Sequence, residues 1–71
     1  MSNTLVGLVL DTGDIIEINC PSKREDELFN SIDHCMKNND WWSPQRFKDC
    51  TAKFRGMDLE RVNMSRVVGM L

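Results

Sequence analysis

The chain has 71 residues, of which 41% are hydrophobic and 28% are charged, with a formal net charge of −2. This length predicts one domain over residues 1–71 with a small core, since a chain of about 60 residues buries only about 60% of its unfolded surface. The composition is typical of a globular protein rather than a disordered one, and no apolar run approaches the roughly 18 residues of a membrane helix.

The first two predicted elements form a β-hairpin. Residues 5–10 and 15–20 are short aliphatic runs, and Asp11–Asp14 between them includes Gly13, which can adopt a positive φ. The first run is apolar on both faces apart from Gly7. This pattern is typical of a strand that is buried on two sides.

One helix is predicted over residues 23–38. Pro21 ends the second strand because it has no N–H to donate, and Ser22 to Glu25 fit the S-x-x-E capping box. One apolar stripe with helical spacing follows, formed by Leu28, Ile32, Cys35 and Met36. The pair Asn38–Asn39 is predicted to end the helix.

The C-terminal half predicts further strands. Lys48 to Phe54 alternates between apolar and polar residues, Arg55–Gly56 suits a turn, and Val67 to Leu71 is a short apolar strand. Met57 to Asn63 fits a strand less well, and Asp58 to Arg66 could instead form a short helix capped by Asp58. We therefore expect an α+β fold: an antiparallel sheet of four or five strands with one helix on one face, in the order β-β-α-β-β.

The cysteines predict neither a disulfide framework nor a metal site. Cys20, Cys35 and Cys50 form an odd set without a C-x-x-C pair, so we expect reduced thiols, core positions and a cytoplasmic location. His34 and Cys35 are adjacent on the predicted helix, about 100° apart around its axis, which does not suit one zinc ion. We expect no cofactor, no metal and no catalysis, with an enzyme or metalloprotein centred on His34 and Cys35 as a lesser alternative.

Charge is unevenly distributed along the chain. Residues 1–40 carry three basic and eight acidic side chains, a net charge of −5, whereas residues 41–71 carry six basic and three acidic, a net charge of +3. Single-stranded nucleic-acid binders combine basic grooves with aromatic platforms, although dedicated binders usually have a pI above about 9 and this chain has a pI near 5.2. A weak single-stranded nucleic-acid binder is the alternative function, using Trp41, Trp42, Arg46 and Lys48.

The strongest functional prediction concerns a sheet face that one helix cannot cover. If the helix packs on one side, Leu5, Val9 and Ile15 are left on the other, together with one of the two tryptophans and residues 67–71. Large apolar patches mark contact surfaces, and Trp and Arg are enriched at interface hot spots. The predicted partner-binding residues are Leu5, Val9, Ile15, Trp41, Trp42 and Arg46.

These residues predict a non-catalytic protein-interaction or regulatory module that binds itself or a protein partner and no membrane. The competing interpretation is that residues 63–71 fold over the same face and bury it.

The closing run from Leu59 to Leu71, with a V-N-x-S-x-V-V core, resembles the strand, turn and strand endings of many short uncharacterised bacterial and phage proteins. The resemblance covers these 13 residues and, loosely, the preceding order of hairpin and helix. It implies a small α+β protein, often encoded near mobile elements, and carries over no functional residue. In this run we expect Asn63 to serve as a turn residue and Ser65 as a local cap.

Overall fold

The fold is known from a computed structural model, which describes residues 2–46 and 50–71. Its elements in chain order are β1 (Asn3–Leu10), β2 (Ile15–Pro21), α1 (Glu25–Lys37), β3 (Trp41–Trp42), β4 (Thr51–Phe54), β5 (Met57–Asp58), β6 (Val62–Asn63) and β7 (Val67–Met70). Three 3₁₀ turns, Ser22–Arg24, Pro44–Arg46 and Met64–Arg66, lie between them. Among the described residues, the predicted α+β class with one helix against an antiparallel sheet is confirmed.

The main sheet has five antiparallel strands in the order β5-β4-β2-β1-β7, and β3 pairs with β6 in a separate two-stranded sheet. The predicted hairpin joins β1 to β2 through a turn in which Gly13 has a φ of 90°. Val6 of β1 lies opposite Ile18 of β2, and Ile18 in turn lies opposite Ala52 of β4. Alternate residues of three neighbouring strands therefore share one face.

The core lies between α1 and this shared face. The helix contributes Leu28, Ile32 and Cys35, as its apolar stripe predicts. The main sheet contributes seven buried residues, Val6, Leu8, Ile16, Ile18, Cys20, Ala52 and Val67. Each large aliphatic side chain buried here stabilises the fold by about 1.5–3 kcal/mol, so the helix and the sheet hold each other in place.

The helix begins differently from the prediction and ends as predicted. The first helical residues form the 3₁₀ turn Ser22–Arg24, and neither that turn nor α1 has a side-chain hydrogen bond at its N-terminus. The predicted capping box is therefore wrong: the Ser22 hydroxyl faces β1 and hydrogen-bonds the Thr4 hydroxyl at 3.0 Å. At the other end the side-chain Nδ2 of Asn38 donates to the His34 carbonyl at 2.8 Å, and Asn39 has a φ of 52°.

The strands of the C-terminal half are shorter than predicted. Of the predicted strand Lys48 to Phe54, β4 covers Thr51–Phe54, and Lys48 and Asp49 lie outside the described residues. The turn at Arg55–Gly56 is confirmed, with φ values of 52° and 81°.

The segment between this turn and β7 is neither one strand nor a helix. The stretch Met57 to Asn63 is divided, because β5 extends the main sheet while β6 pairs with β3. The alternative helix over Asp58 to Arg66 is wrong. Instead, Asn63 begins a 3₁₀ turn, and its side-chain oxygen accepts from the Ser65 amide at 3.2 Å and the Ser65 hydroxyl at 2.6 Å. The carboxamide of Asn63 therefore caps this turn.

The prediction of three reduced cysteines is wrong for two of them. Cys20 and Cys50 form a disulfide with their Cα atoms 4.4 Å apart, while the Cys35 thiol is buried and donates to the Trp41 carbonyl at 3.6 Å. The reason is strand pairing: Asn19 lies opposite Thr51, so the next residue of β2 and the residue before β4 become neighbours. Disulfides persist mainly in oxidising environments, so this bond removes one basis for the expected cytoplasmic location.

Candidate interaction surface

The main sheet has a second face, opposite α1, that we call the open face. Its residues alternate with the buried ones along each strand. It is formed by Leu5, Gly7, Val9, Ile15, Glu17, Asn19, Thr51, Lys53, Asp58, Gly69 and Leu71. On it Leu5 is 71% exposed, Ile15 44% and Leu71 77%. Large aliphatic side chains therefore meet solvent on this side of the sheet.

Three apolar residues of the open face, Val9, Ile15 and Leu71, are neighbours, and Leu5 lies on the same face of β1. A Cβ atom placed on Gly7 would lie 3.2 Å from Leu71 Cδ1 and 3.3 Å from Ile15 Cγ2, so these two side chains converge over the glycine. The Leu71 amide is held there by a 2.8 Å hydrogen bond to the Gly7 carbonyl. Val9 lies directly opposite Ile15. We call Leu5, Val9, Ile15 and Leu71 the open-face cluster.

The other half of the open face is charged. Glu17 lies opposite Lys53, and Lys53 lies opposite Asp58, so charges of alternating sign cross β2, β4 and β5. Opposite charges on directly paired residues attract each other across strands. This row limits the apolar surface to the half of the sheet formed by β1, the start of β2 and the chain around β7.

The last residues do not cover the open face, contrary to the competing interpretation. Val67 to Met70 form β7, which pairs edge to edge with β1, placing Met70 opposite Leu8 and Gly69 opposite Val9. The tail therefore widens the sheet instead of folding over it. Within the described part of the chain, β7 has β1 as its only neighbouring strand.

The two tryptophans have separate environments, as the alternation of an extended chain predicts. Trp42 lies opposite Val62 and is fully buried at 0% exposure, and its indole N–H donates to the Ser31 hydroxyl at 2.9 Å. The Ser31 hydroxyl in turn donates to the Leu28 carbonyl at 2.9 Å. Trp42 is thus a core residue with a satisfied polar atom, and its predicted place on the partner-binding surface is wrong.

Trp41 is 45% exposed, but it lies away from the open face. It shares a cleft with Leu10 and Ile16, which belong to the helix-bearing side of the sheet, and the Arg61 guanidinium lies 4.6 Å from its ring centroid. The predicted surface is therefore divided, with Leu5, Val9 and Ile15 on one side and Trp41 on the other. Arg46 belongs to the turn Pro44–Arg46, and its side chain lies outside the described structure.

Two arginines of the C-terminal half form ion pairs with the β1–β2 turn region. The Arg55 guanidinium lies 3.0 Å from the Asp14 carboxylate, and that of Arg66 lies 3.2 Å from Asp11. The Arg55 hydrogen bond, assisted by one from Thr12, lowers the pKa of the Asp14 carboxyl. Lys53 lies opposite Glu17 and Asp58, so each of these three basic residues has an acidic neighbour.

The described residues hold no group of three or more His, Cys, Asp or Glu side chains that could bind a metal ion. No helix among them is long and apolar enough to cross a membrane. The chain matches no protein-family model, no curated protein and no solved structure. A functional proposal therefore depends on the surface geometry alone.

Proposed function

We propose that this protein is a non-catalytic interaction module whose open-face cluster docks against a second copy of the chain. The observation that supports this proposal is the exposure of Leu5, Ile15 and Leu71 on one face of a sheet whose opposite face carries the helix, with Ile15 and Leu71 converging over Gly7. Burying apolar surface is favourable by roughly 25 cal/mol per Å², so such a cluster gains free energy from any apolar cover of matching shape.

A second copy provides a cover of matching shape. Two twisted sheets pack face to face about 10 Å apart, and their inward side chains interdigitate. Two-fold symmetry would place the open-face cluster of one copy against the same cluster of the other, which is the commonest arrangement of homodimers. The product would have four layers, with a helix outside each of two central sheets.

The size of the cluster predicts weak association. Four aliphatic residues supply an apolar patch of a few hundred Å², whereas stable interfaces bury about 800 Å² on each partner. The charged row of Glu17, Lys53 and Asp58 would lie at the rim, where polar groups remain hydrated. We therefore expect reversible dimers with a dissociation constant of roughly 10 μM to 1 mM.

Sedimentation velocity between about 10 μM and 1 mM protein tests this proposal. The decisive variant is Leu5→Glu, and the matched control is Met57→Glu. These side chains are similarly exposed, 71% and 73%, but Met57 lies opposite Phe54 on the helix-bearing side of the sheet. We expect the sedimentation coefficient of the wild type and of the control to rise with concentration, and that of Leu5→Glu to stay at the monomer value.

A wild-type protein that remains monomeric at about 1 mM would refute self-docking. Equal loss of association in Leu5→Glu and Met57→Glu would also refute it, because the open face would then have no special role. Circular dichroism of all three proteins establishes that they are equally folded.

A further inference from the structure

A second feature, independent of the open face, lies where the two sheets meet. It is a cleft of about 270 Å³ that we call the basic cleft. Its lining consists of Leu10, Ile16, Trp41, Leu59, Arg61, Val62, Asn63 and Arg66. Its floor is aliphatic, and both charged residues that line it are arginines. The cleft therefore combines apolar surface with positive charge.

The Arg61 guanidinium is oriented by an aromatic ring rather than by a carboxylate. Its guanidinium stacks on the Trp41 ring, and within the described part of the chain it makes no ion pair. Arg55 provides a contrast, since it lies 5.1 Å from the centroid of the Phe54 ring and is also bonded to Asp14. Stacking orients a guanidinium and leaves its in-plane N–H groups able to bind an anion.

Arg66 adds a second positive charge to the lining. Its guanidinium contacts Asp11 at 3.2 Å, and the Asp11 amide donates to the Arg66 carbonyl at 3.0 Å. The backbone bond holds the arginine against the β1–β2 turn even when the side-chain pair opens. A carboxylate that enters the cleft can therefore replace Asp11 as the partner of this guanidinium at little cost, because solvent-exposed ion pairs contribute little free energy.

We propose that the basic cleft binds an acidic peptide segment. One aliphatic side chain of the peptide contacts the floor, and carboxylates on either side of it bind Arg61 and Arg66. Two observations favour a peptide over a nucleic acid. Arg61 occupies one face of the exposed Trp41 indole, where a base would stack, and two cations are fewer than the basic track along which a nucleic-acid backbone binds.

The two indole N–H groups provide a direct readout by NMR. The probe is a pentapeptide with a central leucine and two glutamates on each side, titrated into ¹⁵N-labelled protein. We expect the Trp41 indole signal to shift and the Trp42 signal to stay, since Trp42 is buried and bonded to Ser31. Two control peptides, with glutamines in place of the glutamates or serine in place of the leucine, should shift the Trp41 signal much less.

Three variants locate the site. Arg61→Ala should weaken binding of the glutamate peptide about fivefold, the upper effect of one exposed ion pair. Arg55→Ala is the matched control, with an arginine removed from another aromatic ring, and should bind like the wild type. Asp11→Asn should bind about twofold more tightly, because it frees Arg66 from its competing carboxylate. An unchanged Trp42 signal shows that each variant is folded.

Binding that is equal for the glutamate and glutamine peptides would overturn the proposal. So would equal weakening by Arg61→Ala and Arg55→Ala, or tighter binding of a ten-nucleotide oligothymidylate than of the peptide. The Leu5→Glu variant should bind the peptide normally, so failure of this proposal and failure of self-docking can be distinguished.

Discussion

The two faces of the main sheet are built from the same strands but differ in their exposure to solvent. In β1, Leu8 is fully buried beneath the helix, whereas Leu5 lies on the open face and is mostly exposed. Both are leucines, three residues apart, so residue type does not distinguish them. A strand that is apolar on both faces supplies core on one side and an exposed apolar surface on the other, and the position of the single described helix decides which side is which.

The tryptophan pair repeats this contrast between neighbouring residues. Trp42 is enclosed by the core and its indole is satisfied by Ser31, while Trp41 points outward and is stacked by Arg61. Substitutions on the covered side should therefore change the free energy of unfolding, and substitutions on the exposed side should change binding.

The largest effect should come from the tryptophans. Trp42→Ala should lower the free energy of unfolding by about 3–5 kcal/mol, because it empties a large core position. Trp41→Ala should lower it by about 1 kcal/mol or less, the value of an exposed cation–π contact. Urea denaturation followed by circular dichroism measures both, and equal losses would contradict the contrast between the two indoles.

The leucines of β1 should show the next effect. Leu8→Ala should cost about 2–5 kcal/mol of unfolding free energy, because it leaves a cavity under the helix. Leu5→Ala should cost about 0.5 kcal/mol or less, as at other exposed sites. The same denaturation experiment measures the difference. A Leu5→Ala variant as unstable as Leu8→Ala would show that the open face is covered.

The disulfide between Cys20 and Cys50 should contribute about 2–4 kcal/mol, since it closes a loop across 30 positions of sequence separation in the unfolded chain. Dithiothreitol should therefore lower the urea midpoint of the wild type. It should leave the midpoint of Cys50→Ala unchanged, because that variant has no bond to reduce. A wild-type midpoint that is the same with and without reductant would mean that the two cysteines are not bonded.

The smallest effect concerns Asp14, whose pKa is lowered mainly by its hydrogen bond from Arg55. Arg55→Ala should raise this pKa toward its usual value, which ¹³C NMR titration of the carboxyl group measures. A carboxyl group whose pKa is lowered by folding stabilises the folded state at pH values above its unfolded pKa. This stabilisation is lost as the pH falls through the folded pKa. The free energy of unfolding of Arg55→Ala should therefore be lower than that of the wild type at neutral pH, and this difference should decrease below about pH 4.

Local sequence patterns predicted the elements whose signals lie within a few residues. The turn around Gly13 defines the hairpin, the apolar stripe from Leu28 to Met36 defines the helix, and the alternation before Phe54 defines β4. Long-range pairing determined the rest. Nothing near Trp41 or Trp42 shows which indole faces inward, because that depends on the pairing of β3 with β6, twenty residues further along the chain.

The other incorrect predictions also result from contacts between residues that are far apart in the sequence. Ser22 fits a capping box locally, but Thr4 from β1 provides its hydroxyl partner. Cys20 and Cys50 meet because β2 pairs with β4, which the spacing of the cysteines does not reveal. For the candidate site, the hairpin pattern, whose first strand is apolar on both faces, predicted Leu5, Val9 and Ile15 on the side away from the helix. The same reasoning left residues 67–71 on that side, and the pairing of β7 with β1 shows that Leu71 is one of them that lies on the open face.

The most direct test of the open-face cluster is an isotope-filtered NOE experiment on an equal mixture of ¹³C-labelled and unlabelled chains at about 1 mM. Self-docking predicts intermolecular NOEs among the methyl groups of Leu5, Val9, Ile15 and Leu71. The absence of intermolecular NOEs, or NOEs confined to Met57 and the basic cleft, would contradict it.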